Sequence, residues 1–415
     1  MTQVTIDLIS KPPRPGAPHE LDAAKLETAI WRYKVGSILN VQEHSYTVEN
    51  WQQIINQIQD AAAKTRLKIP VLYGLDSIHG ADYVTGATLF PQVIATAATW
   101  NPELAQRAGE ISAFQTRAAG VPWNFYPVLD IGRQPLWPRM WETFGEDVLL
   151  ATEMGKAYMR GLQGNDIGAK DKVAACLKHY AGYSLPMNGQ DRTPAWIDER
   201  TLRQYVLPTF EAGVKASVAT VMLNSGEING VPGHANDHLL TEILKQEWGF
   251  KGFVVSDWAD VKRLHTRDRV ADSPKAAVRM AVMAGVDMSM VPMDYSFYDA
   301  VLQSIKDGSV PMSRIDHAVR RILLVKFMTG LFENPRPDPA MQARFHQPEF
   351  DAANLEAVYE SITLLKNGSV LPLAHERKIL VTGPTANLWS ALNSGWTITW
   401  QGDQEDLYPK ESRRS

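Results

Sequence analysis

Seven short, almost unbroken apolar runs recur along the chain, and a helical pattern follows each one. They read GSILNV, IPVLYGLD, WNFYPVLDI, VAACLKHY, ATVMLNS, GFVVSD and GVDMSM, the last ending at Met290. A strand apolar on every residue is buried on both faces. Such strands alternating with helices make a parallel sheet with helices packed over it. This is α/β architecture, and seven strands over some three hundred residues predict a (β/α)8 TIM-type barrel, with a doubly wound sheet as the alternative. No strand signal precedes residue 37, which leaves open a barrel lacking its first strand. Asn101-Pro102-Glu103 predicts a helix start, with a side-chain cap and then proline at the first position, ending near Gly120. Ser313 with Asp316 predicts another, on a capping-box pattern, running to Leu331.

The text changes after residue 332. ENPRPDPAMQARFHQPEFD is proline-rich and polar, as a linker is. SITLLKNGSVLPL and KILVTGP then suggest entry into a second α/β unit. The sequence therefore predicts a catalytic barrel over 1–332, a linker over 333–356 and the start of a sandwich domain over 357–415. That last unit is too short to close a sheet, so the chain reads as truncated at its C-terminus.

A net charge of −4 supplies no basic field for nucleic acid or anionic lipid. No apolar run reaches the roughly 18 residues of a membrane span, and the N-terminus lacks the apolar centre of a secretory signal. One cysteine, Cys176, allows no intrachain disulfide.

Function in an α/β barrel gathers at the C-terminal ends of the strands. Here those ends carry Asp76 and His79, then Arg133, Trp137 and Arg139, then Lys178 and His179, then Ser225 and Glu227, then Asp257 and Trp258. Each alone has a plain reading. An aspartate after a strand usually caps a helix, a Lys-His pair is usually solvated, and Arg139 with Glu142 fits a surface pair worth little. Capping does not explain five successive strand ends bearing ionisable groups. Such a cup suits a ring of sugar hydroxyls, with tryptophan offering an apolar face. A carboxylate kept ionised by nearby cations can attack an anomeric carbon. The chain has no G-x-G-x-x-G or P-loop, no H-E-x-x-H or paired cysteines and no G-x-S-x-G, so neither cofactor nor metal is expected.

In order, YGLDSIHG, YPVLDIGRQPLWPRMWETFGED, CLKHYAGY, VMLNSGEINGVPGHAN, GFKGFVVSDWADV, SITLLKN and GWTITWQG resemble glycoside hydrolase family 3, in its β-glucosidase and exo-glucanase branch. The resemblance runs from about residue 36 to residue 402. It implies a retaining exo-β-glycosidase acting on β-glucosides or gluco-oligosaccharides, with Asp257 of the S-D-W motif as nucleophile. It further implies sugar contacts from Asp76, Arg139, Lys178, His179, Met222, Ser225 and Trp258. Trp396 and Trp400 would stand at the site mouth, with Trp400 paired to Trp258 around the leaving group. A β-xylosidase and a non-catalytic saccharide-binding barrel are the alternatives.

Four departures stand out. Asn224-Ser225-Gly226 replaces the usual Ser-Tyr-Asn, and Leu136-Trp137-Pro138-Arg139 replaces R-W-G-R. The family's opening helix and first-strand motif are not found. The branch takes its acid/base glutamate from the second domain, beyond residue 415, and the loop AGYSLPMNGQDRTP lacks the His-Asp dyad of the hexosaminidase branch. The chain alone is thus expected to be nearly inactive on glucans, with Trp396 and Trp400 on an unsupported tail; measurable cellobiose hydrolysis would count against that.

Overall fold

The computed structural model describes residues 1–14, 16–383 and 385–408. Eight parallel strands run through it: β1 (Thr2–Thr5), β2 (Ser37–Leu39), β3 (Leu72–Leu75), β4 (Trp123–Asn124), β5 (Cys176–Tyr180), β6 (Thr220–Leu223), β7 (Phe253–Val255) and β8 (Ser289–Met290). Five of them form one sheet in the order β8-β1-β2-β3-β4, and β5-β6-β7 form another. Parallel bridges Trp123↔Ala174 and Val255↔Met288 tie the two sheets into a ring. Backbone bonds across the seams, Asn124 N–H to Ala174 O at 2.9 Å and Ser256 N–H to Met288 O at 2.9 Å, hold them together.

The expectation of a missing first strand is overturned. β1 pairs with β2 on one side and β8 on the other, Thr2 opposite Ser289 and Val4 opposite Ile38. Two of its buried polar side chains are bonded to neighbouring elements. Gln3 Nε2 donates to Ser37 Oγ at 2.8 Å, and Thr5 Oγ1 donates to Pro292 O at 2.9 Å.

Helices follow the strands and pack outside the ring. The helix Pro102–Ala118 begins as expected, with the Asn101 side chain accepting from the N–H groups of Glu103 and Leu104. The last barrel helix is Met312–Met328, which starts two residues before the capping-box reading and ends three residues short of Leu331, with Pro311 at the cap and Ser313 inside. A chain turning through Pro311 already sets the first turn, so the serine is not needed as a cap. Inside the ring, Trp123 meets Phe125 and Phe253 edge-on at 4.7 and 5.1 Å, and its Nε1 donates to Thr220 Oγ1 at 2.8 Å. Gly74 on β3 gives these rings room, since a Cβ there would sit 2.4 Å from Phe125. Lys326 closes the N-terminal end, donating to the carbonyls of Gly36 and Pro70 at 2.8 and 2.6 Å.

Beyond the barrel, a helix spans Pro348–Ser361. The run 378–383, read as part of the entry into a second α/β unit, is exposed and carries no strand pairing among the described residues. Pro384 and residues 409–415 lie outside the described residues. Residues 389–402 are not an unsupported tail. Trp396 is buried, and His79 Nε2 lies 3.2 Å from its carbonyl and 3.0 Å from Thr397 Oγ1. Among the described residues, no helix is long and apolar enough to cross a membrane.

Candidate active site

A cavity of about 480 Å³ opens at the C-terminal ends of the strands. Asp76, Arg139, Lys178, His179, Met222, Asp257, Trp258, Trp396 and Trp400 all line it. His79, Arg133 and Glu227, also at strand ends, do not. His79 is taken up by Phe90 O at 2.7 Å and by the 396–397 segment. Arg133 lies over the Tyr205 ring at 4.1 Å. Glu227 starts a two-residue hairpin strand. A wider groove of about 760 Å³, between residues 16–19, 44–50 and 389–408, is lined by no lysine or arginine and by none of the strand-end residues named above.

Lys178 and His179 are neighbours in sequence, yet both reach the cavity. A regular strand would send them to opposite faces. The pairing of β5 with β6 shifts between Leu177 and Tyr180, and this irregularity breaks the alternation. Lys178 Nζ donates to Asp76 Oδ1 at 2.7 Å, and the Trp396 ring lies 5.1 Å from it. Burial pushes the Asp76 pKa up, against the pull of Lys178. The loop carrying Asp76 is clamped to β4, since Ser77 N–H donates to Asn124 Oδ1 and Asn124 Nδ2 donates to Ser77 O, both at 2.9 Å.

The bonds around His179 fix its tautomer. Arg139 Nη2 donates to Nε2 at 3.2 Å, so Nδ1 carries the proton and donates to Asp130 Oδ2 at 2.8 Å. The same oxygen accepts the His179 main-chain N–H at 2.9 Å. Burial, then Arg139 and Lys178, hold the ring pKa well below its usual value, so His179 is neutral. Burial lifts Asp130 to about 7. Arg139 forms two bonds to Glu142, at 2.9 and 2.7 Å. Both side chains are largely buried, so the surface-pair reading of Arg139 and Glu142 does not apply.

Asp257 follows β7 and is buried. Its main-chain N–H donates to His234 Nε2 at 3.1 Å, and its Oδ1 accepts the Trp258 N–H at 2.5 Å. Ser225 does not line the cavity. It sits behind, donating from Oγ to Asp257 Oδ2 at 2.6 Å. Burial favours the neutral acid, but Arg192, the His179 ring, the Ser225 hydroxyl and Arg139 together outweigh it. The Asp257 carboxyl is thereby held well below the ordinary range. With His179 neutral, the lasting cations are Arg192 and Arg139. Trp258 is half-buried and Trp400 is 57% exposed at the mouth. Trp258 and Trp400 both line the cavity, and the Trp396 and Trp400 ring centroids are 6.3 Å apart.

Sequence reasoning missed Arg192, Asp130 and Asp260. Arg192 lies in the loop after β5, lines the cavity, and has a buried Nη1 without a hydrogen-bond partner among the described residues. Only its place in the loop following Lys178-His179 could have pointed to it.

A buried, ionised carboxylate at a strand end, among cations and indoles, defines an α/β barrel with its polar cup at the carboxyl ends of the strands. The chain belongs to glycoside hydrolase family 3: residues 12–325 match the family described as "Glycosyl hydrolase family 3 N terminal domain". It is 45% identical over 395 residues to the lysosomal beta glucosidase of Dictyostelium discoideum, covering 90% of this chain and 48% of that protein. It is 37% identical to a putative beta-xylosidase of Formosa agariphila, over 77% of this chain and 43% of that protein. Its fold matches the exo-1,3/1,4-beta-glucanase of a Pseudoalteromonas species with a TM-score of 0.87 and 31% identity, over 99% of this chain and 51% of that one. The chain thus spans about half the length of these relatives.

Proposed function

We propose that this chain carries the sugar cup and nucleophile of a retaining exo-β-glycosidase, a β-glucosidase releasing terminal β-D-glucosyl residues. The observation that carries the reading is Asp257, fully within the protein yet held ionised at the floor of a cavity lined by Asp76, Arg139, Lys178 and His179. In the reaction Asp257 attacks the anomeric carbon, the bond to the leaving oxygen breaks, and a glycosyl ester forms; water then hydrolyses the ester. Lys178, paired with Asp76, and Arg139 donate to sugar hydroxyls. His179 has both ring nitrogens engaged, Nε2 by Arg139 and Nδ1 by Asp130, and so holds the Arg139 guanidinium in place at the sugar site. Trp396 and Trp258 give the sugar its apolar walls, and Trp400 flanks the entrance.

The second carboxyl of a retaining pair, about 5–5.5 Å from the first, faces the cavity from no residue we assign, and the proposal leaves it to the rest of the protein. General acid assistance contributes about 10²–10⁴-fold, so the chain alone reacts with substrates whose leaving groups need no proton. The domain division 1–332, 333–356 and 357–415 is part of this proposal, the third unit supplying Trp396 and Trp400.

The test is intact mass and peptide mapping after incubation with a 2-deoxy-2-fluoro-β-glucoside bearing a dinitrophenolate leaving group. One fluoroglucosyl adduct on the peptide holding Asp257, lost in Asp257→Asn, is expected. Folded protein that takes no label, or takes it elsewhere, overturns the assignment. The similarity to a putative beta-xylosidase favours a second reading, a β-xylosidase. Faster labelling by the matching fluoroxyloside would select it.

A further inference from the structure

One carboxyl group beside Asp257 has no part in the scheme above. Asp260 opens the helix Asp260–Thr266, three residues past the nucleophile, and its side chain is wholly buried. Ala259 between them has φ 59, a left-handed turn that brings both carboxyls back toward β6. There Ser225 Oγ lies 2.6 Å from Asp257 Oδ2 and also bonds Asp260 Oδ2.

A serine hydroxyl has one proton to donate. It cannot serve two carboxylates. When Asp260 is a neutral acid, its Oδ2–H donates to Ser225 Oγ, Ser225 donates to Asp257 Oδ2, and each oxygen is satisfied. When Asp260 is ionised, two anions compete for one proton.

The surroundings of Asp260 are otherwise fixed. Arg263 Nη1 donates to its Oδ1 at 2.7 Å, and Arg267 Nη1 stands 3.7 Å from the same oxygen. Arg267 is also committed to Ser225 O at 2.8 Å and to Asp268 at 2.6 Å. Across the site, Arg192 acts on Asp260. His234 accepts the Asp257 N–H, and burial keeps its pKa down to about 4.

We propose that Asp260 is a positioning residue for the nucleophile: through the Ser225 hydroxyl it decides whether Asp257 accepts a hydrogen bond on Oδ2 or presents that oxygen free, with a second negative charge behind it. This rests on the reading of Asp257 as nucleophile. In passing between the two forms, one proton leaves Asp260 Oδ2 for solvent and the Ser225 proton turns toward Asp260. No other bond changes. Burial, reinforced by the charge of Asp257, lifts Asp260 to about 6 against Arg263, Ser225 and Arg192. The two forms therefore exchange in mildly acidic solution. The ionised form suits the reaction better, because it adds negative charge where the sugar ring becomes cationic. Freeing one hydrogen bond of ordinary strength corresponds to about a three- to tenfold gain in rate.

The experiment measures the rate of labelling by the same fluoroglucoside against pH, for the unaltered chain, Asp260→Asn and Ser225→Ala. Carboxyl-carbon NMR of aspartate-labelled protein follows the protonation directly. Labelling of the unaltered chain should climb about three- to tenfold as pH passes about 6. Asp260→Asn, whose amide donates to Ser225 as the neutral acid does, should stay at the low level throughout, and Ser225→Ala should lose most of the climb. One carboxyl resonance should titrate near that pH, vanish in Asp260→Asn, and move to lower pH in Asp257→Asn.

An identical climb in Asp260→Asn overturns the proposal while leaving the nucleophile assignment intact. A carboxyl titration indifferent to Asp257→Asn overturns it whatever the labelling does. No labelling, with a titration that does respond to Asp257→Asn, sinks the glycosidase reading and upholds the coupling of the three groups.

Discussion

Replacing Lys178 by methionine removes the cation from a buried pair while nearly conserving its volume. Lys178 Nζ and Asp76 Oδ1 are 2.7 Å apart, with side chains 2% and 9% exposed. Taking one partner from a buried pair leaves an unpaired charge and costs about 3–5 kcal/mol. In a chain this long each kcal/mol moves Tm by about 2 °C, so Tm should fall by about 6–10 °C. The carboxyl has a way to escape that cost. Burial already raises the Asp76 pKa against Lys178, and without the cation it rises further. A carboxyl raised in the folded state binds its proton more tightly there than when unfolded. Its stabilising contribution is complete at low pH and is lost as pH climbs through the folded pKa. In acid, then, Asp76 turns neutral, and the variant forfeits only a hydrogen bond, about 1–3 kcal/mol. The assay is thermal melting of the unaltered chain, Lys178→Met, Asp76→Asn and Asp76→Asn/Lys178→Met in acidic and mildly alkaline buffer. The single variant's deficit should grow about twofold with pH, and the double variant should recover most of the pH-dependent part. A deficit equal at every pH, or a double variant worse by the sum of two singles, would refute the charge-pair argument.

Trp396→Ala deletes a buried indole beside Lys178; the loss of about 3–5 kcal/mol of packing should speed hydrogen exchange in peptides of 389–402 and leave the barrel strands unchanged. Gly161→Ala would place a Cβ 2.1 Å from Gln106 O, forcing the helices Pro102–Ala118 and Val148–Gln163 apart, with a cost of about 1–3 kcal/mol readable in urea titration. Ala259→Gly should relieve a left-handed φ of 59 and raise stability by up to about 1 kcal/mol, whereas Ala259→Val should lower it.

The seven later strands were legible because each lies in a mainly apolar run of sequence. β1 was not, because Thr2-Gln3-Val4-Thr5 buries polar side chains by bonding them to Ser37 and Pro292, and hydrophobicity cannot register a residue buried by pairing. The cup residues were visible as a series along successive strand ends. Arg192 was hidden, as it sits in a loop whose path no periodicity fixes. Asp260 stands in a helix's first turn, an ordinary place for an acid, and it is the left-handed Ala259 that turns it inward to share Ser225. His179 reaches the cavity through a pairing irregularity that has no signature in CLKHY.

The ring is shut by its two most distant strands, Thr2 meeting Ser289 and Gln3 meeting Met290. A nascent chain leaving the ribosome must therefore carry β1 with one flank unpaired until nearly three hundred residues have followed. An open flank of parallel strands is a template for other chains, and closing a contact of such sequence separation is slow. Truncating synthesis just before β8 should thus yield aggregates rather than a smaller folded barrel, and a circular permutant that opens the chain elsewhere on the ring should shorten the vulnerable interval.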